Sequence, residues 1–173
     1  MKDVTSTSFG LVIAFLLPGL ALFYGLSFWS SRIKVVLQKL LTSDPDAGLF
    51  ILVLLGALSL GLLITPFRYL LYERWLSEKD RFVPADFSKL GEEGKLLAFR
   101  AAVDEHYRYH QFWGGMTIAL PIIYCGWLIE FWSCSISIFL SILIFVLIQG
   151  VTGYAAWDAL KKFLSRARPI LKG

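Results

Sequence analysis

Residues 111–157 read QFWGGMTIALPIIYCGWLIEFWSCSISIFLSILIFVLIQGVTGYAAW, forty-seven positions in which Glu130 is the only Asp, Glu, Lys or Arg. As one continuous helix this stretch would be about 70 Å long. A bilayer's hydrocarbon core is roughly 30 Å thick. The stretch must therefore double back, and Glu130 with the polar Ser133 and Ser135 puts the turn at 130–135. The result is a hairpin of two membrane spans, 111–129 and 131–157.

Two more charge-free stretches lie upstream, 9–29 and 47–67, each of 21 residues. Twenty apolar residues suffice to cross the hydrocarbon core, so the chain reads as an all-α polytopic membrane protein with four transmembrane helices. The whole composition agrees. Over 173 residues, 57% are hydrophobic and 17% charged, and the mean hydropathy is +0.64. A soluble domain of this size could not hide so much apolar surface. Two cysteines exclude a secreted disulfide scaffold. The first stretch is too long for a signal-peptide core and lacks a small-x-small site before Arg32, so it is expected to be an uncleaved span.

Basic residues orient the spans. Counting Arg68 at the edge of the second, 14 of the 17 Lys and Arg residues fall on the side shared by the N-terminus, the 72–110 segment and the C-terminus. Only Arg32, Lys34 and Lys39 lie opposite. Positive charge is retained inside, so both termini are expected in the cytoplasm of a bacterial cell with the protein in the inner membrane. Trp29, Trp75, Trp113, Trp132 and Trp157 fall near span ends, as interfacial tryptophans do.

The organisation expected is a first transmembrane pair (1–71), a cytoplasmic helical segment (72–110), the second transmembrane hairpin (111–157) and a basic tail (158–173). Between the first two spans, Ile33, Val36, Leu37, Leu40 and Leu41 share one helical face, with Arg32, Lys34 and Lys39 off it. This is an amphipathic helix over 31–41, lying on the outer headgroups or packed on the bundle.

The 72–110 segment holds seven basic and eight acidic residues. Near-neutrality argues against nucleic acid as a direct ligand. No phosphate loop or nucleophile–base order is visible, so no enzyme, catalytic residue or cofactor is expected. Its mixed charges suit protein recognition, with Glu92, Glu93, Arg100, Asp104 and Arg108 as the expected partner surface.

His106 and His110 stand four apart, the spacing of a two-histidine metal half-site, but no third ligand accompanies them. They also read as a pH-responsive pair or as interfacial polarity. Arg68 can snorkel to the interface or pair with Glu73 or Asp104. In the last span Ser133, Ser137, Ser141 and Thr152 fall on one stripe beside Gln149, with Gly150 and Gly153 adjacent. Such a stripe lines water or glues helices together, and the small residues point to a homo-oligomer. Pro18 and Pro121, near mid-span, permit kinks.

The segments Leu16-Leu17-Pro18-Gly19-Leu20-Ala21-Leu22-Phe23-Tyr24-Gly25-Leu26-Ser27 and Glu105-His106-Tyr107-Arg108-Tyr109-His110-Gln111-Phe112-Trp113 resemble segments of small bacterial four-span membrane proteins of unknown function. In architecture the chain is also similar to membrane subunits of phage-defence systems such as the Kiwa membrane component. The resemblance implies a non-enzymatic sensor or effector subunit that oligomerises and works with a cytosolic partner in antiphage defence. The competing expectation is a small ion channel, with the serine stripe at the water. Spans without ionisable residues weigh against an ion-coupled transporter.

Overall fold

The computed structural model describes residues 10, 12–42, 47–74, 82, 84–91, 94–131 and 138–172. Every element among them is helical. In chain order they are a π-helical turn Val12–Leu16 leading into α1 (Leu17–Ser27), α2 (Ser31–Thr42), α3 (Ala47–Arg68) continued by a π-helical turn Tyr69–Glu73, and a 3-10 helix Pro84–Gly91. Then follow α4 (Lys95–Ala102), a third π-helical turn Val103–Tyr107, α5 (Arg108–Phe131) and α6 (Ile138–Lys172).

Among the described residues, three helical stretches are long and apolar enough to cross a membrane: Ala47–Glu73, Lys95–Glu130 and Ile138–Leu171. Val12–Ser27 and Ser31–Leu41 meet that standard only together, and the chain bends by 117° between them. The bend falls at Phe28–Ser30, where the amphipathic stretch begins. Its half-buried Ile33, Val36, Leu37 and Leu40 share one face, while Leu41 is 81% exposed. Lys34 pairs with Glu130 at the end of α5, and the Trp29 indole N–H reaches the Ile122 carbonyl at 3.4 Å. Both contacts hold the bent pair on the hairpin at the end away from most of the basic residues.

Helix α1 packs on both α3 and α5, and α3 also touches α5. Close approach depends on glycine. A methyl group at Gly19 would strike the Ala57 carbonyl, and one at Gly61 would strike the Phe15 carbonyl, so backbones of α1 and α3 lie against each other. Leu22, Ile64 and Ala119 form the core where the three helices meet. Within this bundle α6 packs chiefly on α5. Its remaining face is apolar and open: Phe139, Val151 and Tyr154 are 77%, 65% and 72% exposed.

The basic tail is not a separate unit. Residues 158–172 continue α6 without a break, and Leu160, Phe163 and Ala167 pack against Ala102 and the rings of Phe82, Phe99 and Tyr107. The end of α6, the 3-10 helix and α4 thereby form a small helical cap with its own core at the basic end of the bundle.

Candidate functional site

Where the bundle meets the cap, polar groups are buried together. Arg68, at the last position of α3, is 3% exposed. It does not snorkel: its Nη1 lies 3.5 Å from Oε1 of Glu73. That pair is made possible by the π-helical turn. Glu73 lies five positions after Arg68, and in an α-helix that spacing turns the two side chains well apart. The turn closes through an i→i+5 bond, shown by the Arg74 amide donating to the Tyr69 carbonyl at 2.9 Å, which brings the two side chains to one side. Room for the Arg68 stem comes from Gly114 on α5, where a methyl group would touch its Cγ and Cδ at 2.9 Å. The guanidinium also lies 5.5 Å from the centre of the Tyr107 ring, a cation–π distance.

Two more groups converge on the same carboxylate oxygen. The Tyr107 hydroxyl donates to Glu73 Oε1 at 3.3 Å, and Nε2 of the fully buried His110 is 3.5 Å away. The other ring nitrogen of His110, Nδ1, is 2.8 Å from the Ala156 carbonyl of α6. A carbonyl only accepts, so Nδ1 carries a proton. Nε2 of His110 and Nη1 of Arg68 have no hydrogen-bond partner among the described residues. The junction thus joins α3 and α5 through one carboxylate, and α6 through the His110 ring, with two of the carboxylate's contacts longer than usual hydrogen bonds.

A second polar layer lies beside it, deeper in the bundle. Tyr72 packs edge-on against His110 and donates its hydroxyl hydrogen to Thr117 at 3.2 Å. The Gln149 side-chain amide donates to the Thr117 carbonyl at 2.8 Å, and Thr152 donates to the Gln149 carbonyl at 3.0 Å. Gln149 thus ties α6 to α5, while the Thr152 hydroxyl bonds within α6.

On the cap side of Glu73 is a cavity of about 450 Å³. Tyr69, Phe82, Phe87, Phe99, Tyr107 and Phe163 line it, and Glu73 is the one charged residue in its wall among the described residues.

The expected site residues divide accordingly. Of the stripe in the last span, Ser133 and Ser137 lie outside the described residues. Ser141 bonds the Tyr124 hydroxyl of α5 at 3.1 Å. Gly153 faces the Tyr72 hydroxyl, 3.7 Å from where a methyl group would stand, while Gly150 faces open space. Of the expected partner surface, Glu92 and Glu93 lie outside the described residues. Arg100 is exposed, but Arg108 is largely covered and bonds Asp104 at 2.6 Å. His106 and His110 have different neighbours, His110 facing Glu73 and the Ala156 carbonyl. His106 sits 4.0 Å from Glu105, which itself pairs with Arg166 of α6. Among the described residues, no three His, Cys, Asp or Glu side chains converge.

Sequence reasoning missed Tyr72, Tyr107 and the phenylalanine ring set, which carry no periodic signal across such separations. The available clue was Arg68 and Glu73 at a spacing of five, next to an apolar span.

Compared with known proteins, the chain matches no family model, no curated protein and no solved structure.

Proposed function

We propose that this protein is a non-enzymatic membrane sensor or effector subunit, acting as a homo-oligomer, that relays the arrangement of its spans to a cytosolic partner through the cap. The observation carrying this reading is the Arg68–Glu73–Tyr107–His110 junction. There the continuation of α3 meets α5 at one carboxylate, and α6 joins through His110; the site is flanked by two π-helical turns, features frequent at functional sites.

Its chemistry suits a two-position element. Arg68 and His110 each stand 3.5 Å from Glu73, and a charge-assisted hydrogen bond is shorter by about 0.7 Å. A small sliding of α3 and its continuation against α5 would close the gap between Glu73 and His110. Since the 3-10 helix, α4 and the end of α6 share one core with Tyr72 and Tyr107, such a slide moves the cap as a body. The partner would meet the cap at its mixed-charge face around Arg100 and Asp104. The cytoplasmic placement of that face follows from the basic asymmetry, and the defence setting from the resemblance alone.

The test is a distance measurement in lipid. Spin labels at positions 70 and 161 are read in nanodiscs of thin and thick bilayers. The expected result is a shift of the distance distribution with thickness in the wild type and a smaller shift in Glu73→Gln. No shift, or equal shifts in both, counts against a relay. Discrete conductance of the purified protein in planar bilayers would support a channel instead.

A further inference from the structure

The cap cavity has an unusual wall. Four of its rings close a circuit: Phe82 to Phe87 at 6.3 Å, Phe87 to Phe99 at 6.0 Å, Phe99 to Phe163 at 6.2 Å and Phe163 back to Phe82 at 6.3 Å between centres. Neighbouring planes meet at 63–85°, so each contact sets the edge of one ring against the face of the next. Tyr107 joins at 4.9 Å from Phe163. Aromatic faces carry the negative part of the ring quadrupole.

Charge in the wall has the same sign. Among the described residues, Glu73 is the only charged residue lining the cavity, and no Lys, Arg or His lines it. Arg68, which partners Glu73, stands behind it on the bundle side. A purely apolar occupant would strip water from Glu73 without replacing it, and an anionic one would meet a carboxylate and ring faces. A cation satisfies both. Leu160, Leu164 and Val103 complete the wall and offer contact to an apolar body. The volume of about 450 Å³ lies within the range of small-molecule sites. Tyr69 and Phe87 remain 48% and 41% exposed, so the wall is not closed off.

We propose that this cavity is a binding site for an organic cation with an apolar body, held by the ring faces of the phenylalanine circuit and by the Glu73 carboxylate. The site stands apart from the relay reading: a ligand can bind here whether or not the junction moves, and the spin-label distances are read without ligand.

The experiment uses three probes with one body, (4-phenylbutyl)trimethylammonium, 4-phenylbutanol and 4-phenylbutyrate, titrated by calorimetry into the full chain in a nonionic maltoside detergent. The trimethylammonium probe is expected to bind saturably, the alcohol about tenfold more weakly and the anion not at all. Phe87→Leu, at a partly exposed ring, is expected to weaken the cation about fivefold and leave the alcohol unchanged. Glu73→Gln is expected to weaken the cation about tenfold. Tyr154→Leu, on the open face of α6, serves as the control with unchanged affinity. An alcohol that binds as tightly as the cation, a cation that does not saturate, or a Phe87→Leu protein with unaltered cation affinity overturns the proposal.

Discussion

The Tyr107 hydroxyl meets the Glu73 carboxylate at 3.3 Å, and each of the two residues is the last of a π-helical turn. Two separate departures from α-helical geometry thus end at one hydrogen bond. In each, the extra residue per turn re-aims the side chains that follow. Without the first turn Arg68 and Glu73 would not share a side. Without the second, Tyr107 and His110 would be aimed differently. The junction is a product of these two shifts of phase.

Arg68 and Glu73 are expected to behave as a buried pair. Arg68→Met should cost about 3 kcal/mol, because it removes the cation facing Glu73. Arg68→Met combined with Glu73→Gln should recover part of the loss. Thermal unfolding in detergent of the wild type, both single variants and the double variant measures the coupling. Strict additivity would mean that the two side chains do not interact.

Glycines on the two sides of the bundle should respond with opposite signs. Gly61→Ala places a methyl group against the Phe15 carbonyl and is expected to destabilise by about 1–3 kcal/mol. Gly150→Ala meets nothing and should be neutral or stabilising by up to about 1 kcal/mol. Unfolding midpoints of the two proteins decide it, and a like-signed change in both would contradict the close α1–α3 contact.

Gly150 also offers a clean test of assembly. Gly150→Leu has room within its own chain, so a fall in oligomer size in native mass spectrometry would place a neighbouring copy at that point on α6. Gly153→Leu is expected to disturb the Tyr72 packing of a single chain instead. If Gly150→Leu leaves the oligomer intact, the contact between copies lies elsewhere.

Orientation is testable with one cysteine at a time, in a chain whose Cys125 and Cys134 are replaced by serine. Leu41→Cys, at a position 81% exposed on α2, should react with a membrane-impermeant maleimide in intact cells whose outer membrane has been opened. Arg168→Cys, exposed at the basic end, should react only after the inner membrane is breached. The reverse pattern would invert the positive-inside assignment.

The structure also reassigned several residues that stood out in the sequence. Gly114 and Gly115 lie inside α5, which continues through them. They make space: Gly114 for the Arg68 stem and Gly115 for the Pro18 ring, whose atoms a methyl group would touch at 2.8–3.0 Å. Arg68 had two readings at the sequence level, snorkelling or pairing, and only its burial beneath α5 decides between them. Lys161 and Lys162 belong to a cluster that attracts lipid headgroups when free, but here they ride on the outer face of a helix whose inner face, Leu160 and Phe163, is packed into the cap.

What the amino-acid sequence determined by itself is the helical, membrane-like character of the chain and the position of its long apolar helices. That information is local: excluding charge from some twenty consecutive residues is a property of each stretch alone, and the cost of a charge in hydrocarbon enforces it wherever the stretch is placed. The tertiary structure decided which polar groups meet. Glu73, Tyr107, His110 and Ala156 come from three helices, and the circuit of phenylalanines spans residues 82 to 163. Such contacts depend on helical phase and on how closely backbones approach. A single π-helical turn or one glycine resets both, and neither leaves a trace in hydropathy or in residue spacing.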